Sequence, residues 1–162
     1  MNMPARIDQA LKFAIASVNA ESAPPKLAEA IRYSVFPGGA RMRPRLCLAV
    51  AAACGDDRPM LSDAAAASIE LLHCASLAHD DLPCFDDAAT RRGLESVHKK
   101  FGEPLAVLAG DTLIVFSFEI LARASLAAPA RLPALMMIMG QASGMPSGIA
   151  AGQGWESETE IN

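Results

Sequence analysis

The sequence predicts an all-α protein built as a helical bundle, and three observations carry that expectation. Hydrophobic residues make up 52% of the 162 residues and aromatic residues only 5%. The apolar share is mostly Ala, Leu, Ile, Val and Met, a composition that favours packed helices over sheet. Apolar positions also recur at helical spacing along most of the chain, and proline and glycine groups such as Pro24-Pro25 and Gly38-Gly39 punctuate it.

Taken in order, Ile7, Leu11, Ala14, Ile15 and Val18 mark a first helix over Arg6–Ala20. Leu27, Ile31, Ser34 and Val35 mark one face of a second, which Phe36-Pro37-Gly38-Gly39 breaks. Pro44 fits the first turn of a third helix, running through Leu46, Leu48 and Val50 to about Cys54 and stopping at Gly55. Ser62 is placed as the N-cap of a helix from Asp63 to about Leu82, with Asp63 favourable in the first turn. A polar loop follows from Pro83 to about Gly93. Long apolar helices run from near Glu103 to Leu126 and from Arg131 to about Gly140. Gly144–Gly148 is a turn, and Ile149–Glu158 begins a further helix. No repeat, low-complexity tract or linker divides the chain, so residues 1–162 fall within one domain.

The net charge of -4 and pI near 5.3 give no general attraction to nucleic acid or to anionic lipid. Anion binding must then come from local basic clusters, around Arg41–Arg45 and at Arg91-Arg92. Cys47, Cys54, Cys74 and Cys84 match no zinc spacing and read as reduced small hydrophobes of a cytoplasmic protein. Met1–Ala10 lacks the apolar core of a signal peptide. The most apolar stretch, Leu105–Leu121, contains Asp111 and Glu119 and reads as a core helix, so no membrane span is expected.

The segment from His73 to Asp87 is the most informative. His73 and Asp80 lie seven residues apart and share a helix face. Asp80 and Asp86 would diverge on a straight helix, but Pro83 ends or kinks it and can carry Asp86 back. Two converging carboxylates without clustered thiol or imidazole suit Mg²⁺, which completes its shell with water and phosphate oxygens. Alone, such a pair is more often a solvated acidic loop. The planar donor forks of Arg91 and Arg92, next in the chain, turn it into a site for a metal-bound diphosphate. A second anion site is expected where Gly38-Gly39-Ala40-Arg41-Met42-Arg43-Pro44 enters a helix, with Arg41 and Arg43 strengthening the field of the free amides.

Gly-Gly-x-Arg-x-Arg-Pro, His-x6-Asp-Asp-Leu-Pro-x-x-Asp and Thr-Arg-Arg-Gly, in that order, resemble the polyprenyl synthetase family, the trans-isoprenyl diphosphate synthases. Gly110-Asp111 and the run from Gly148 to Gln153 resemble later signatures of that family, so the resemblance extends from about Leu27 to Glu156. It implies an isoprenoid synthase-type bundle of which this chain is the N-terminal part, with the C-terminal helices absent. It further implies a Mg²⁺-dependent prenyltransferase that condenses an allylic diphosphate with isopentenyl diphosphate, working as a homodimer. Asp80 and Asp86 would hold the metal, with Asp81 supporting. Arg91 would contact the allylic diphosphate, and Arg92, Arg43 and His73 would hold isopentenyl diphosphate. Gln153 would lie near the allylic tail. The allylic carbon–oxygen bond would ionise, the alkene would attack the cation, and the released diphosphate would accept the proton.

In this family, bulky residues just before the first aspartate motif form a floor under the growing tail. Here those positions are Ala75 and Ser76, which points to a product longer than fifteen carbons, most simply geranylgeranyl diphosphate. Two departures stand out. Ala40 replaces a lysine that helps bind isopentenyl diphosphate, unless Arg41 or Arg45 substitutes. The family's second aspartate-rich motif is not in the sequence, so the chain alone is expected to be weak or inactive. A non-catalytic partner subunit of a full synthase is the alternative. A terpene cyclase fits less well, because it needs no second diphosphate pocket.

Overall fold

Why the chain takes this shape is clearest in its two longest helices. The computed structural model describes residues 2–36 and 38–158; Pro37 of the expected helix break and Glu160 of the acidic tail lie outside them. Helix α1 spans Met3–Ala14, capped by Asn2, whose side-chain oxygen accepts from the Ala5 N–H at 3.0 Å. It starts earlier than Arg6 and gives way after Ala14 to a 3₁₀ turn over Ala16–Asn19. Helix α2 is Pro25–Val35, with Pro25 in its first turn, and α3 is Met42–Ala53. Helix α4 covers Pro59–Asp80 and α6 covers Glu103–Ala124, separated by the short α5, Val97–Phe101. Helices α7, Leu132–Ser143, and α8, Ile149–Glu158, complete the described part.

Helices α4 and α6 form the most extensive helix pair. Small residues explain their closeness: Ala67, Ala75 and Ala78 on α4, and Ala106, Ala109 and Gly110 on α6, are all buried. The Ser68 hydroxyl donates to the Ser117 carbonyl at 2.7 Å inside this seam, which satisfies a group that burial would otherwise penalise. Ile7 and Leu11 of α1, Ile31 and Val35 of α2 and Leu48 of α3 close the same core. The span Glu103–Ala127 is long and apolar enough, by length and composition, to cross a membrane. In the fold its Leu113 and Leu121 are buried, whereas Val107, Leu108 and Val115 are exposed.

Three local expectations are corrected. Ser62 does not cap α4: the helix begins a turn earlier at Pro59, and the Ser62 hydroxyl donates to Asp56 at 2.5 Å. Proline at the first helical position loses no intrahelical bond and can seed that extra turn. Arg6 then ties α1 to this corner through Asp56 and Asp63. Within the loop expected over Pro83–Gly93, a small antiparallel hairpin appears, pairing Thr90–Arg91 (β1) with Leu94–Glu95 (β2). Its two-residue turn, Arg92-Gly93, has φ of 54° and 80°, as a type I′ turn demands. Finally, the four cysteines are free thiols, but only Cys74 is buried and Cys47 half-buried; Cys54 and Cys84 are exposed.

Candidate diphosphate and metal site

Helix α4 ends where the site begins. After Asp80 the chain turns at Pro83 and folds back, with the Phe85 N–H on the Leu82 carbonyl at 2.9 Å and the Asp86 N–H on the Asp80 carbonyl at 3.0 Å. The structure thus brings Asp80 and Asp86 together. The two carboxylates are near enough to interact: Asp80 is pushed above its ordinary value, first by partial burial and then by repulsion from Asp86. Arg91 opposes the shift from 3.6 Å, whereas Asp81 and Glu156 add to it. Glu156, on α8, is a fourth acidic group here, although the sequence places it in the acidic tail. Its spacing of three from Gln153 was the available signal, because i and i+3 share a helix face.

Asp81 sits differently from its neighbours. It is only 1% exposed and accepts from Arg91 Nε at 2.9 Å, with a second contact to an Arg91 terminal nitrogen. Its carboxylate therefore holds the guanidinium, which in turn leans toward Asp80. The hairpin sends the next arginine elsewhere. Arg92 lies across Gly39, where a Cβ would come within 3.0 Å of the guanidinium, and reaches 3.5 Å from His73 Nε2. His73 is held below the ordinary imidazole value, mainly by burial and then by the positive charge of Arg43, with Arg92 and Arg41 adding to it. Arg43, His73 and Arg92 thus form one basic cluster, and Arg91 belongs to the adjacent acidic one.

Arg41 does not join either cluster, contrary to expectation. It takes a left-handed conformation, φ 51°, just before α3 and turns inward. Its guanidinium donates to buried Glu70 at 2.7 Å and to the Val35 carbonyl at 2.6 Å. Gly38 makes room, since a Cβ there would lie 2.3 Å from the guanidinium. Arg41 therefore cannot supply the cation that Ala40 lacks; Arg45 stays exposed on α3.

Beside the carboxylates lies an apolar cleft of ≈ 520 Å³, bordered by Asp80 and walled by Leu72, Ala75, Ser76, Phe85, Ile114 and Gln153. His79 borders it too, held 3.2 Å from the Val107 carbonyl and 3.5 Å from Asp111. Gly110 allows that ring to lie against α6, since an added Cβ would meet it at 2.2 Å.

The donor set fits Mg²⁺. Asp80 and Asp86 offer hard oxygens, and Asp86 is exposed enough to accept a hydrated ion. Among the described residues no group of three or more His, Cys, Asp or Glu forms a ready-made cage.

The basic cluster supports an expected titration. His73 should titrate below 6.5 in the free protein, so its contribution to stability is full above pH 6.5 and is lost as pH falls through the folded value. Adding inorganic pyrophosphate should move it upward, because a nearby anion favours imidazolium. Imidazole proton shifts followed by NMR would show this, and an unmoved titration would exclude an anion at this cluster.

A family model described as polyprenyl synthetase matches residues 24–162. The chain is 60% identical over 157 residues to the geranylgeranyl diphosphate synthase of Cereibacter sphaeroides, covering 97% of this chain and 54% of that relative. It is 52% identical to the geranylgeranyl diphosphate synthase of Rhodobacter capsulatus, covering 100% and 56%. A solved geranyltransferase from Legionella pneumophila superposes with a TM-score of 0.87 at 31% identity, over 99% of this chain and 55% of that one. The chain thus spans about half the length of the curated relatives it matches. With the motif order, the fold and the family match in agreement, this chain belongs to the polyprenyl synthetase family.

Proposed function

We propose that the protein is a prenyltransferase that joins an allylic diphosphate to isopentenyl diphosphate and extends the chain to geranylgeranyl diphosphate. One observation carries the reading: a single hairpin turn sends Arg91 to the Asp80–Asp81 group and Arg92 to His73. Two groups of side chains that could take anions would then stand side by side near an apolar cleft, as a reaction between two diphosphates requires.

Asp80 and Asp86 would hold Mg²⁺, which when bound would offset the charge that develops on the leaving diphosphate. Arg91, already oriented by Asp81, would donate to that diphosphate without reorganising. Arg43, His73 and Arg92 would hold isopentenyl diphosphate with its alkene facing the allylic carbon. The allylic carbon–oxygen bond breaks, its electron pair leaving with the diphosphate. The alkene then forms the new carbon–carbon bond, and the adjacent proton passes to the released diphosphate. Walls of Leu72, Ala75 and Ile114 would keep water from the cation, and Gln153 would lie along the tail. The small Ala75 and Ser76 support a long product. Exposed Val107, Leu108 and Val115 on α6 support a homodimer, which sedimentation equilibrium would detect.

With farnesyl diphosphate, labelled isopentenyl diphosphate and Mg²⁺, the whole protein should give a twenty-carbon diphosphate, and residues 1–162 by themselves little or none. Ser76→Phe, which fills part of the cleft, should shift the product to a shorter chain. Failure of the folded protein to bind either diphosphate in Mg²⁺ would sink the proposal. The inward turn of Arg41 leaves only Arg45 to make up for Ala40 and favours, as a second reading, a non-catalytic partner subunit. A stable heteromer formed with a full-length relative, without turnover by this chain, would select it.

A further inference from the structure

We propose that His98 is a positioning residue for the aspartate loop, holding Asp87, and through it Asp86, by a proton on its Nε2 nitrogen. The inference rests on the reading of Asp80 and Asp86 as the metal–diphosphate site and adds to it the group that fixes Asp86 in place.

His98 lies on α5 with its side chain only 3% exposed. Its Nδ1 is 3.1 Å from the Ser96 hydroxyl, and Ser96 is itself buried with its N–H on the Ala89 carbonyl at 3.1 Å. A hydroxyl donating to Nδ1 leaves the ring proton on Nε2. That nitrogen is buried without a hydrogen-bond partner and stands 3.5 Å from Asp87 Oδ1. In that tautomer a buried N–H is aimed from the protein interior at a carboxylate of the loop, slightly beyond full bonding distance. Lys99 takes the same oxygen from the solvent side at 3.0 Å.

Asp87 carries a local strain consistent with being held. It is a non-glycine residue at φ 44°, a conformation that persists where surrounding contacts impose it. Its N–H donates to the Leu82 carbonyl at 3.1 Å, while Asp86 is tied to Asp80. Helix α5 is anchored in turn, with Phe101 edge-on to Tyr33 at 5.3 Å and Lys100 over the Tyr33 ring at 4.1 Å. Asp86 therefore sits between two fixed points, the end of α4 and the Asp87–His98 latch. A metal-binding carboxylate held this way loses less freedom when an ion arrives.

Two measurements test the latch. Amide hydrogen exchange of Asp86 and Asp87 in the metal-free protein should quicken about tenfold in His98→Ala and in Asp87→Ala, as a local opening becomes easier. Binding of Mn²⁺ with inorganic pyrophosphate, followed by water-proton relaxation, should weaken about tenfold in the same variants, the scale of one lost charge-assisted hydrogen bond. His98→Gln, which places an amide N–H where Nε2 was, should restore both readouts. His98→Asn, which mimics only Nδ1, should not. Asp87 is exposed, so its variant should fold even if His98→Ala does not. Unchanged exchange in folded Asp87→Ala, or equal rescue by asparagine and glutamine, would overturn the proposal. A wild type that binds no Mn²⁺–pyrophosphate would instead count against the metal reading, while the exchange rates still decide the latch.

Discussion

Glu70→Ala is expected to cost about 3–5 kcal/mol of folding stability, because it leaves the buried Arg41 guanidinium without its carboxylate. Glu70 is 2% exposed and Arg41 8%, so solvent cannot replace the lost partner. A domain of this size holds only about 5–15 kcal/mol in total, and the variant should lose a large part of it. Urea unfolding at pH 7 would measure the loss. Removing both charges, with Arg41→Met and Glu70→Leu together, should come within about 1.5 kcal/mol of wild type, since an apolar pair of similar volume needs no charge to be desolvated. If Glu70→Ala unfolds at the wild-type urea concentration, this pair does not fix the segment before α3. The site should respond as well, because Arg41 draws the chain after Gly38 inward and so sets where Gly39 and Arg43 meet Arg92 and His73.

Asp80→Asn should separate stability from function. Binding of Mg²⁺ with a diphosphate should fall at least about 100-fold, because a neutral amide replaces a carboxylate that the ion needs. The metal-free protein should nonetheless melt slightly higher, by about 1–3 °C, once repulsion with Asp86 is removed and solvent screening is allowed for. The sign follows from the raised Asp80 value: the folded state favours the protonated form. Stability contributed at this position therefore declines as pH rises from 3.8 through the folded value, and the penalty persists above it. Bound Mg²⁺ should reverse the trend. Parallel calorimetric scans and diphosphate titrations would check both halves, and a lower metal-free melting temperature in Asp80→Asn would contradict the repulsion.

Part of the candidate site is visible before folding. Asp80, Asp86, Arg91 and Arg92 could be singled out as candidates from the order and spacing of the motifs, because carboxylates followed closely by planar cations can share a metal-bound diphosphate. The turn after Pro83 was also legible, since proline cannot continue the ladder of helical bonds. Asp81 and Arg41 could not be assigned the same way. Each is charged and adjacent to a motif residue, but one step along a helix end or one left-handed residue reverses whether a side chain faces solvent or core. Glu156 escaped because its distance to Asp80 depends on how α8 packs against the cleft.

By itself the sequence determined the helical class, most of the segments and the chemical identity of the groups, since periodicity, proline and glycine act over a few residues at a time. Only the tertiary structure decided which charges pair inside and which remain available. Burial sets that choice: the left-handed turn at Arg41 directs it to Glu70, and the Arg92-Gly93 turn directs Arg91 to Asp81 and Arg92 to His73. Such pairings arise between residues 10 to 29 positions apart, where local spacing carries no information about direction.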